Sequence, residues 1–256
     1  MPIDWHYSLA GVLVGLVVGL TGVGGGSLMT PLLVLVFGVA PTTAVGTDLL
    51  YASATKTVGT TVHGWRGTVD WRVVGRLAAG SVPATILTLL AIGHAGAART
   101  GHTISLILGI VLILSAVATI FRARIVAYLT PRVGAVGSEH PLIFTVLLGA
   151  ILGTLVSLTS VGAGALGMTA LLILYPTLPI NRLVGSDIAH AVPLTLLAGM
   201  GHWLLGSVNG EILVSLLTGS IPGIIVGSLI ASRVSDRFLT PILATVLLLV
   251  GAKLLF

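Results

Sequence analysis

The sequence predicts an all-α polytopic membrane protein with two inverted repeats, each a glycine-broken leading helical hairpin followed by three transmembrane helices. Three observations support this: an apolar composition, an internal repeat, and two long apolar segments interrupted by glycine. Of the 256 residues, 55% are hydrophobic and 7% charged, with a mean hydropathy of +1.14. Soluble domains average roughly a quarter charged residues. Apolar segments of about 20 residues, the length of a membrane span, follow one another almost end to end.

The leading segment of each half, 8–37 and 142–175, is too long to cross the membrane once. As one helix, the first would be about 45 Å long, against a hydrocarbon thickness of about 30 Å. We therefore expect both to break at their glycines and fold back. The segments that follow are predicted as single crossings, at 43–63, 72–93 and 103–121, then 183–205, 211–231 and 238–255.

The second half of the chain repeats the first. TGVGGGSL (21–28) recurs as TSVGAGAL (159–166) with an offset of 138, and VGTD (45–48) recurs as VGSD (184–187) with an offset of 139. Colinear matches that include Asp, His and Pro indicate a duplication. We predict a single membrane domain, 1–256, made of repeats 1–130 and 131–256.

Basic residues orient this arrangement in the membrane. With folded-back leading segments, nine arginines face one compartment and only Arg99 and Lys253 lie near the other. The positive-inside rule makes the first compartment the cytoplasm, with the predicted loops 63–72, 121–141, 175–183 and 231–237 inside. Each half then has an odd number of segments. The repeats are therefore expected to be inverted, with both termini in the periplasm.

The composition excludes several classes of site and partner. The net charge of +5 would suggest nucleic acid in a soluble protein, but here the arginines are in loops that orient the chain, so no nucleic-acid partner is expected. The chain contains no cysteine, which excludes disulfides and thiolate sites. No Lys or Arg precedes the first apolar run, so we interpret the N-terminus as a membrane segment and not as a signal peptide.

The glycine-rich breaks are the candidate binding site. A helix interrupted in lipid exposes backbone N–H groups that only protein, water or substrate can satisfy, and a helix N-terminus favours an anion. The candidate residues are Thr21, Gly22, Gly24, Gly25, Gly26 and Ser27 in the first repeat, and Thr159, Ser160, Gly162, Ala163 and Gly164 in the second. The two breaks are expected to meet near the midplane. The alternative is that the glycines only allow close helix packing.

Four ionisable residues within the predicted helices are further candidates. Lys56 is expected to neutralise an anion, because an intramembrane cation is costly unless it is paired or lines a water-filled path; snorkelling to the interface is the alternative. Asp48 and Asp187 are equivalent in the repeats and lie near predicted helix starts, where proton coupling competes with packing and helix-dipole roles. His190 shares a helix face with Asp187. Without a third ligand, a hydrogen-bonded pair is expected there and not a metal site.

Motifs for catalysis and nucleotide binding are absent from the sequence. It contains no P-loop Gly-Lys-Ser/Thr, no His-Glu-x-x-His and no Gly-x-Ser-x-Gly. The run GVGGGS lacks the βαβ setting of a dinucleotide site. We predict that the protein is not an enzyme and has no cofactor and no bound metal. His63 and His202, at predicted helix ends, are expected to anchor the chain at the membrane interface.

These segments together resemble the sulfite exporter TauE/SafE family of bacterial membrane transporters. The resemblance rests on GLTGVGGGSLMTPLL, on AVGTDLLYASATKTVGTTVHGWRGTVDW followed by AGSVP, and on VGSDIAHAVPLTLLAGMGHWLLGSVNG followed by TGSIPG. It implies outward movement of sulfite or small organosulfur anions such as sulfonates across the bacterial inner (cytoplasmic) membrane. Gly162-Ala163-Gly164 departs from the triple glycine of the first repeat, so the two breaks are not expected to contribute identically.

The function predicted on these grounds is secondary transport, with a small sulfur-containing anion and the lipid bilayer as partners. A carrier of a metal or organic cation that uses Asp48, Asp187 and His190 is the alternative within transport. A non-transporting membrane protein, either an intramembrane enzyme or an interaction partner, is the alternative from another class. The sequence does not determine the oligomeric state, the coupling ion or which anion is moved.

Overall fold

The computed structural model describes residues 4–21, 26–65, 67–95, 97–139, 141–230 and 236–255. As predicted, this part of the chain is helical and contains no strand. The helices of the first half are α1 (Trp5–Thr21), α2 (Gly26–Leu35), α3 (Pro41–Trp65), α4 (Trp71–Ala95) and α5 (Ala97–Glu139). Those of the second half are α6 (Pro141–Thr159), a π-helical segment (Ala163–Gly167), α7 (Met168–Leu174), α8 (Ile180–Leu204), α9 (Gly210–Ile230) and α10 (Asp236–Leu255).

Five helices of the described chain contain stretches long and apolar enough to cross a membrane. These stretches are Trp71–Ala95, Gly101–Arg132, Pro141–Thr159, Ile180–Leu204 and Gly210–Gly227. Helix α3 is as long as α4 but less hydrophobic, because it contains Asp48, Lys56 and several threonines. It tolerates this composition because most of its first four turns are buried inside the protein. The protein is a multi-pass membrane protein whose more polar helix lies at the centre.

The second leading segment breaks at its glycine-rich stretch, as predicted, and the predicted break of the first lies outside the described residues. Helix α1 ends at Thr21 and α2 begins at Gly26, and residues 22–25 between them lie outside the described residues. Helix α6 ends at Thr159 and the helix resumes at Ala163. Ser160 and Gly162 in the second break have φ angles of 59° and 119°. This left-handed backbone disrupts the regular helix, and it is costly for a residue with a side chain such as Ser160.

The predicted loop 121–141 is wrong, because α5 continues through it to Glu139. Arginine was taken as a loop signal, but its long unbranched side chain has a high helix propensity. Arg122, Arg124 and Arg132 therefore lie on a helix, and the guanidinium group of Arg132 stacks over the ring of Tyr128 at 3.7 Å. The other predicted segments agree with the structure to within a few residues at each end.

Each leading helix packs mainly against a helix of the other repeat. Helix α1 packs along α9, and α6 packs along α4. Close contacts of glycine with backbone hold both pairs: a Cβ at Gly15 would lie 2.5 Å from the Ser220 carbonyl oxygen, and a Cβ at Gly153 would lie 2.5 Å from that of Ser81. Gly15 and Gly153 are repeat equivalents, as are Ser220 and Ser81. The two repeats therefore exchange their leading helices.

Equivalent helices of the two repeats lie side by side. Helix α3 packs against α8, and α5 packs against α10. Gly46, near the start of α3, approaches His202 near the end of α8, while Leu50 approaches Gly199, so these two helices run antiparallel. Gly109 of α5 and Gly251 of α10 approach each other in the same antiparallel sense. Inverted repeats require this arrangement, and the orientation of each repeat relative to the two membrane faces stays a prediction.

A one-residue insertion separates the two repeats where the helix resumes after the break. Leu28-Met29-Thr30 in α2 corresponds to Leu166, Met168 and Thr169, so Gly167 is the extra residue and accounts for the change of offset from 138 to 139. The structure accommodates it in the π-helical segment, where the N–H group of Gly167 donates to the carbonyl oxygen of Gly162 at 2.9 Å. A π-turn is the geometry that a single inserted residue gives to an α-helix, and such turns are frequent at functional sites.

Candidate functional site

Helices α3 and α8 carry the two equivalent aspartates into the protein interior. Asp48 and Asp187 are each the eighth residue of their helix, and 0% and 6% of their surface is exposed. The predicted helices, 43–63 and 183–205, placed them at the sixth and fifth residues, so both lie two or three residues deeper in their helices than predicted. The helix dipole acts mainly within the first turn, so it does not explain either residue. Buried carboxylates in a membrane helix need specific partners.

Asp48 is held by the second arm of the first leading segment. Its Oδ2 atom accepts a hydrogen bond from the hydroxyl group of Thr30 at 2.5 Å and another from the Thr30 backbone N–H at 3.1 Å. Ser160 in the second break lies beside the same carboxylate. Helix α2 also contacts the π-helical segment. In this way Asp48 connects the two broken segments.

Asp187 has different surroundings from its equivalent. It accepts no hydrogen bond from the described residues, and its Oδ1 atom is buried without a partner. The inserted residue Gly167 lies against it, so that a Cβ added there would be 3.0 Å from Oδ1. Thr169, the equivalent of Thr30, donates instead to the carbonyl oxygen of Ala165 at 2.7 Å. The carboxylate–threonine contact of the first repeat is therefore not reproduced in the second.

Lys56 lies on α3, eight residues after Asp48, and is 6% exposed. It interacts electrostatically with both Asp187 and Asp48. No ion pair within 4.0 Å joins it to either aspartate in the described structure. A snorkelling lysine would expose its ammonium group, so the burial of Lys56 favours the alternative in which its charge serves the interior.

Arg122 is a residue that the sequence analysis did not place in the site. It interacts electrostatically with Asp187 from α5. The prediction of a loop at 121–141 concealed this residue, because the continuation of α5 brings Arg122 within electrostatic range of Asp187. Thr30 was also missed, although its equivalence with Thr169 in the repeat register was a visible signal. The described site thus contains two carboxylates and two cations.

The second break presents polar groups that the fold itself does not use. The hydroxyl group of Thr159 accepts the N–H group of Val161 at 3.1 Å, which caps one orphan donor. The N–H groups in the first turn of a helix have no acceptor within that helix. Among the described residues, nothing accepts the N–H groups of Ala163 and Gly164. The buried hydroxyl group of Ser160 makes no hydrogen bond within 3.5 Å, although it lies close enough to the Asp48 carboxylate to interact with it. These donors are suited to an oxyanion.

The histidines on α8 are structural partners of the surrounding helices. The Nε2 atom of His190 lies 2.9 Å from the Ser81 hydroxyl oxygen of α4, and its Nδ1 atom has no partner, so the predicted hydrogen-bonded pair with Asp187 is wrong. The Nε2 atom of His202 lies 2.8 Å from the Ser157 carbonyl oxygen, and His202 is buried, so its predicted interfacial role is wrong. The side chain of His63 lies outside the described residues. Within the described chain, no three His, Asp or Glu side chains are grouped closely enough to hold a metal ion.

Part of the predicted site in the first repeat lies outside the described residues. This applies to Gly22, Gly24 and Gly25 and to the side chains of Thr21 and Ser27, while Gly26 begins α2. In the second repeat, Thr159, Ser160, Gly162 and Ala163 are buried and Gly164 is half-buried. The predicted binding role of these residues stays a prediction.

Comparison with known proteins identifies the family. The family model described as "Sulfite exporter TauE/SafE" matches residues 7–254. The chain belongs to the TauE/SafE family. It is 41% identical over 251 residues to the "Probable membrane transporter protein YjnA" of Bacillus subtilis (strain 168), covering 96% of this chain and 98% of that protein. It is also 28% identical over 258 residues to the "Probable membrane transporter protein YdhB" of the same organism, covering 93% and 96%.

The family and these relatives establish a membrane transporter. A shorter match, 45% identical over 64 residues, is to a "Probable membrane transporter protein" of Xylella fastidiosa (strain 9a5c), covering 25% of this chain and 24% of that protein. None of these relatives' names specifies a transported compound. A search of solved structures found no significant match. The transported compound must therefore be argued from the site of this TauE/SafE member.

Proposed function

We propose that this protein is a secondary transporter that moves sulfite or small organosulfur anions, such as sulfonates, outward across the bacterial inner membrane. The observation that carries the proposal is the burial of Lys56 on α3, where it interacts electrostatically with the carboxylate of Asp48, which Thr30 of α2 holds near the second break. A buried cation next to unused N–H and hydroxyl donors is the environment that an oxyanion needs in a low-dielectric site.

The donors of the second break complement this charge. A helix N-terminus contributes about half an elementary charge, which orients an oxyanion but does not offset the cost of removing a full negative charge from water. Lys56 supplies the missing charge. The hydroxyl group of Ser160 and the N–H groups of Ala163 and Gly164 supply the directed hydrogen bonds. Thr21, Gly22, Gly24, Gly25, Gly26 and Ser27 are proposed to approach the same anion from the first repeat.

The cation-carrier alternative is weaker on this geometry. Two buried carboxylates attract a cation, but Lys56 and Arg122 already neutralise them. His190 is engaged with Ser81. Counterflow in proteoliposomes separates the two functions: we expect exchange of sulfite, sulfoacetate or taurine, and no exchange of divalent metals or organic cations. Exchange of cations alone would reject the anion site.

A pair of lysine variants tests the role of Lys56. Lys56→Met is expected to weaken anion binding by at least about tenfold, because hydrogen bonds to charged groups contribute about 1.5–3 kcal/mol. Lys253→Met, on the exposed last turn of α10, is the matched control and should bind as the wild type does. Binding is measured by isothermal titration of purified protein with sulfite, sulfate, sulfoacetate and taurine.

Loss of charge balance in Lys56→Met needs its own control. Removing this cation leaves two buried carboxylates with less compensation, which lowers stability. The double variant Lys56→Met/Asp187→Asn removes one charge of each sign and keeps the net charge of the site. It is expected to fold and still not bind the anion. Normal binding by the double variant would show that backbone groups and hydroxyls alone form the site.

The proposed orientation places both termini in the periplasm. The chain contains no cysteine, so single cysteines report position without background. His6→Cys, at an exposed position in the first turn of α1, is expected to react with an impermeant maleimide in intact spheroplasts. Arg72→Cys, exposed at the start of α4, is expected to react only after lysis. Labelling in the reverse pattern would contradict the inverted topology.

A further inference from the structure

The charges around Asp187 sum to zero in the described site. Lys56 on α3 and Arg122 on α5 are the cations that interact with Asp187, and Asp48 on α3 is the second carboxylate. From the other described elements, α4 directs Ser81 to His190 on α8, and the π-helical segment presents the uncharged Gly167. Two negative charges therefore meet two positive charges, with Asp48, Asp187 and Lys56 buried and Arg122 half-buried. An added oxyanion would leave one negative charge uncompensated.

An uncompensated charge is costly in a low-dielectric interior, where groups instead change protonation. We infer that the transporter binds its anion together with one proton, and that Asp187 is the group that takes up this proton. The inference rests on the proposed function, because it concerns how the same site accepts an anion. It adds a coupled ion that the family match does not specify.

The geometry distinguishes Asp187 from Asp48. The Oδ2 atom of Asp48 accepts both the hydroxyl and the N–H of Thr30, and two donors to one oxygen favour the carboxylate anion. The Oδ1 atoms of both aspartates are buried without a partner, but Asp187 accepts no hydrogen bond from the described residues on its other oxygen either. Gly167 places no side chain next to the Oδ1 atom of Asp187. A Cβ atom at this position would lie 3.0 Å from that oxygen. A proton on Asp187 therefore breaks no hydrogen bond that the structure contains.

The proposed step conserves charge and protons. A proton from the solution on the side of anion entry binds the carboxylate of Asp187 and neutralises its charge. Asp187 then no longer attracts the ammonium group of Lys56. The ammonium group of Lys56 is then available to interact with the oxyanion. On the opposite side the anion leaves, Asp187 returns its proton to the solution, and Lys56 again faces a carboxylate. With an anion of one charge, the transported pair is neutral, and flux does not depend on the membrane potential.

Proton uptake by the wild-type protein is the primary test. Purified protein in weakly buffered detergent with a pH-indicator dye is titrated with methanesulfonate, a strong-acid monoanion that does not itself bind protons near neutral pH. We expect about one proton taken up per anion bound at a pH where Asp187 is ionised. By linkage, affinity should there fall about tenfold for each unit of rising pH. Anion binding without proton uptake would overturn this inference and leave the proposed function intact.

Three variants locate the proton. Asp187→Asn is expected to bind methanesulfonate with no proton uptake and with pH-independent affinity, because the site then carries a net positive charge without protonation. Glu211→Gln, an exposed carboxylate on the first turn of α9, is the control and should behave as wild type. Loss of proton uptake in Asp48→Asn with retention in Asp187→Asn would overturn the assignment. A wild-type protein that binds none of the anions overturns the proposed function and this inference with it.

Discussion

The two repeats share a scaffold but differ where their aspartates face the broken segments. In the first repeat, Thr30 of α2 donates twice to Asp48. In the second, the inserted Gly167 lies against Asp187, and Thr169 turns to its own helix. One extra residue, absorbed as a π-turn, is enough to separate the two environments. A duplication can thus keep a symmetric fold while giving its two carboxylates different roles.

The scaffold itself is the same in both repeats. Ser186 accepts the backbone N–H of Asp70 at 2.8 Å, and the equivalent Thr47 accepts that of Asn209 at 3.1 Å. Each contact lies one residue before a buried aspartate and joins the two repeats. Divergence is therefore local. Changes in the scaffold should act equally in the two repeats, and changes at the aspartates should not.

The largest effect is expected from Gly80→Ala and Gly219→Ala. These equivalent residues contact the backbone at Val146 and Ser8, and a Cβ on either would overlap a carbonyl oxygen. The backbone cannot move aside as a side chain can. Each change should therefore lower the free energy of unfolding by more than about 3 kcal/mol, the upper end of the range that is typical for overpacking. Folded yield by size-exclusion chromatography and melting by tryptophan fluorescence measure it.

Gly75→Ala is the control for these changes, since a Cβ there has no neighbour within 4 Å among the described atoms. It should be neutral or slightly stabilising. A large loss in only one of the two repeat variants would contradict the equivalence of the scaffold.

The next effect is expected to be unequal between the repeats. Thr30→Val removes the hydroxyl donor to the buried carboxylate of Asp48 and should cost about 1.5–3 kcal/mol. Thr169→Val removes only a bond to a carbonyl of its own helix, and should cost less than about 1 kcal/mol. Urea unfolding in mild detergent compares them directly. Equal losses would mean that Asp48 does not depend on Thr30 and would weaken the contrast between the repeats.

A smaller and equal effect is expected at two helix N-termini. The Oδ1 atom of Asp70 accepts the N–H of Arg72 at 3.0 Å, and the Oδ1 atom of Asn209 accepts that of Glu211 at 3.0 Å. Replacing either by alanine removes an N-cap and should cost about 1 kcal/mol. Thermal melts of both variants should shift by similar amounts, and anion affinity should not change.

The smallest effect on stability is expected from deleting Gly167. The deletion restores the register of the first repeat by converting the π-turn to an α-turn, so unfolding free energy should change by less than about 1 kcal/mol. Deleting Ala170 in α7 is the control. It rotates the residues that follow by about 100° and should prevent folding. If both deletions unfold the protein equally, the π-turn is not a separable insertion.

Much of the fold can be predicted from the sequence. Long apolar segments indicate membrane helices, and clusters of glycine within them indicate breaks. The second break and the position of Lys56 within a helix depend on such local signals. The loop assigned to 121–141 failed because charged residues were taken to exclude a helix. Arg122 shows the cost of that rule, since it lies on a helix and interacts electrostatically with Asp187.

The contacts between repeats required the structure. The exposure of His202 at a helix end was inferred from its position along the chain, yet the carbonyl of Ser157 on α6 covers it. The difference between Asp48 and Asp187 was equally hidden, since each follows a Val-Gly-Thr or Val-Gly-Ser sequence. Which donors reach each carboxylate depends on how α2 and the π-helical segment pack, and local sequence does not encode that.

The exchange of leading helices also sets a condition on biosynthesis. Helix α1 reaches the membrane first, but its main partner α9 begins only at Gly210. At a synthesis rate of roughly 5–20 residues per second, the glycine face of α1 must wait on the order of ten seconds or more for its partner. During that interval the nascent chain has no native cover for this face. Completion of the second repeat is thus the event that closes the first, and a ribosome that stalls before α9 leaves an assembly that quality control can recognise.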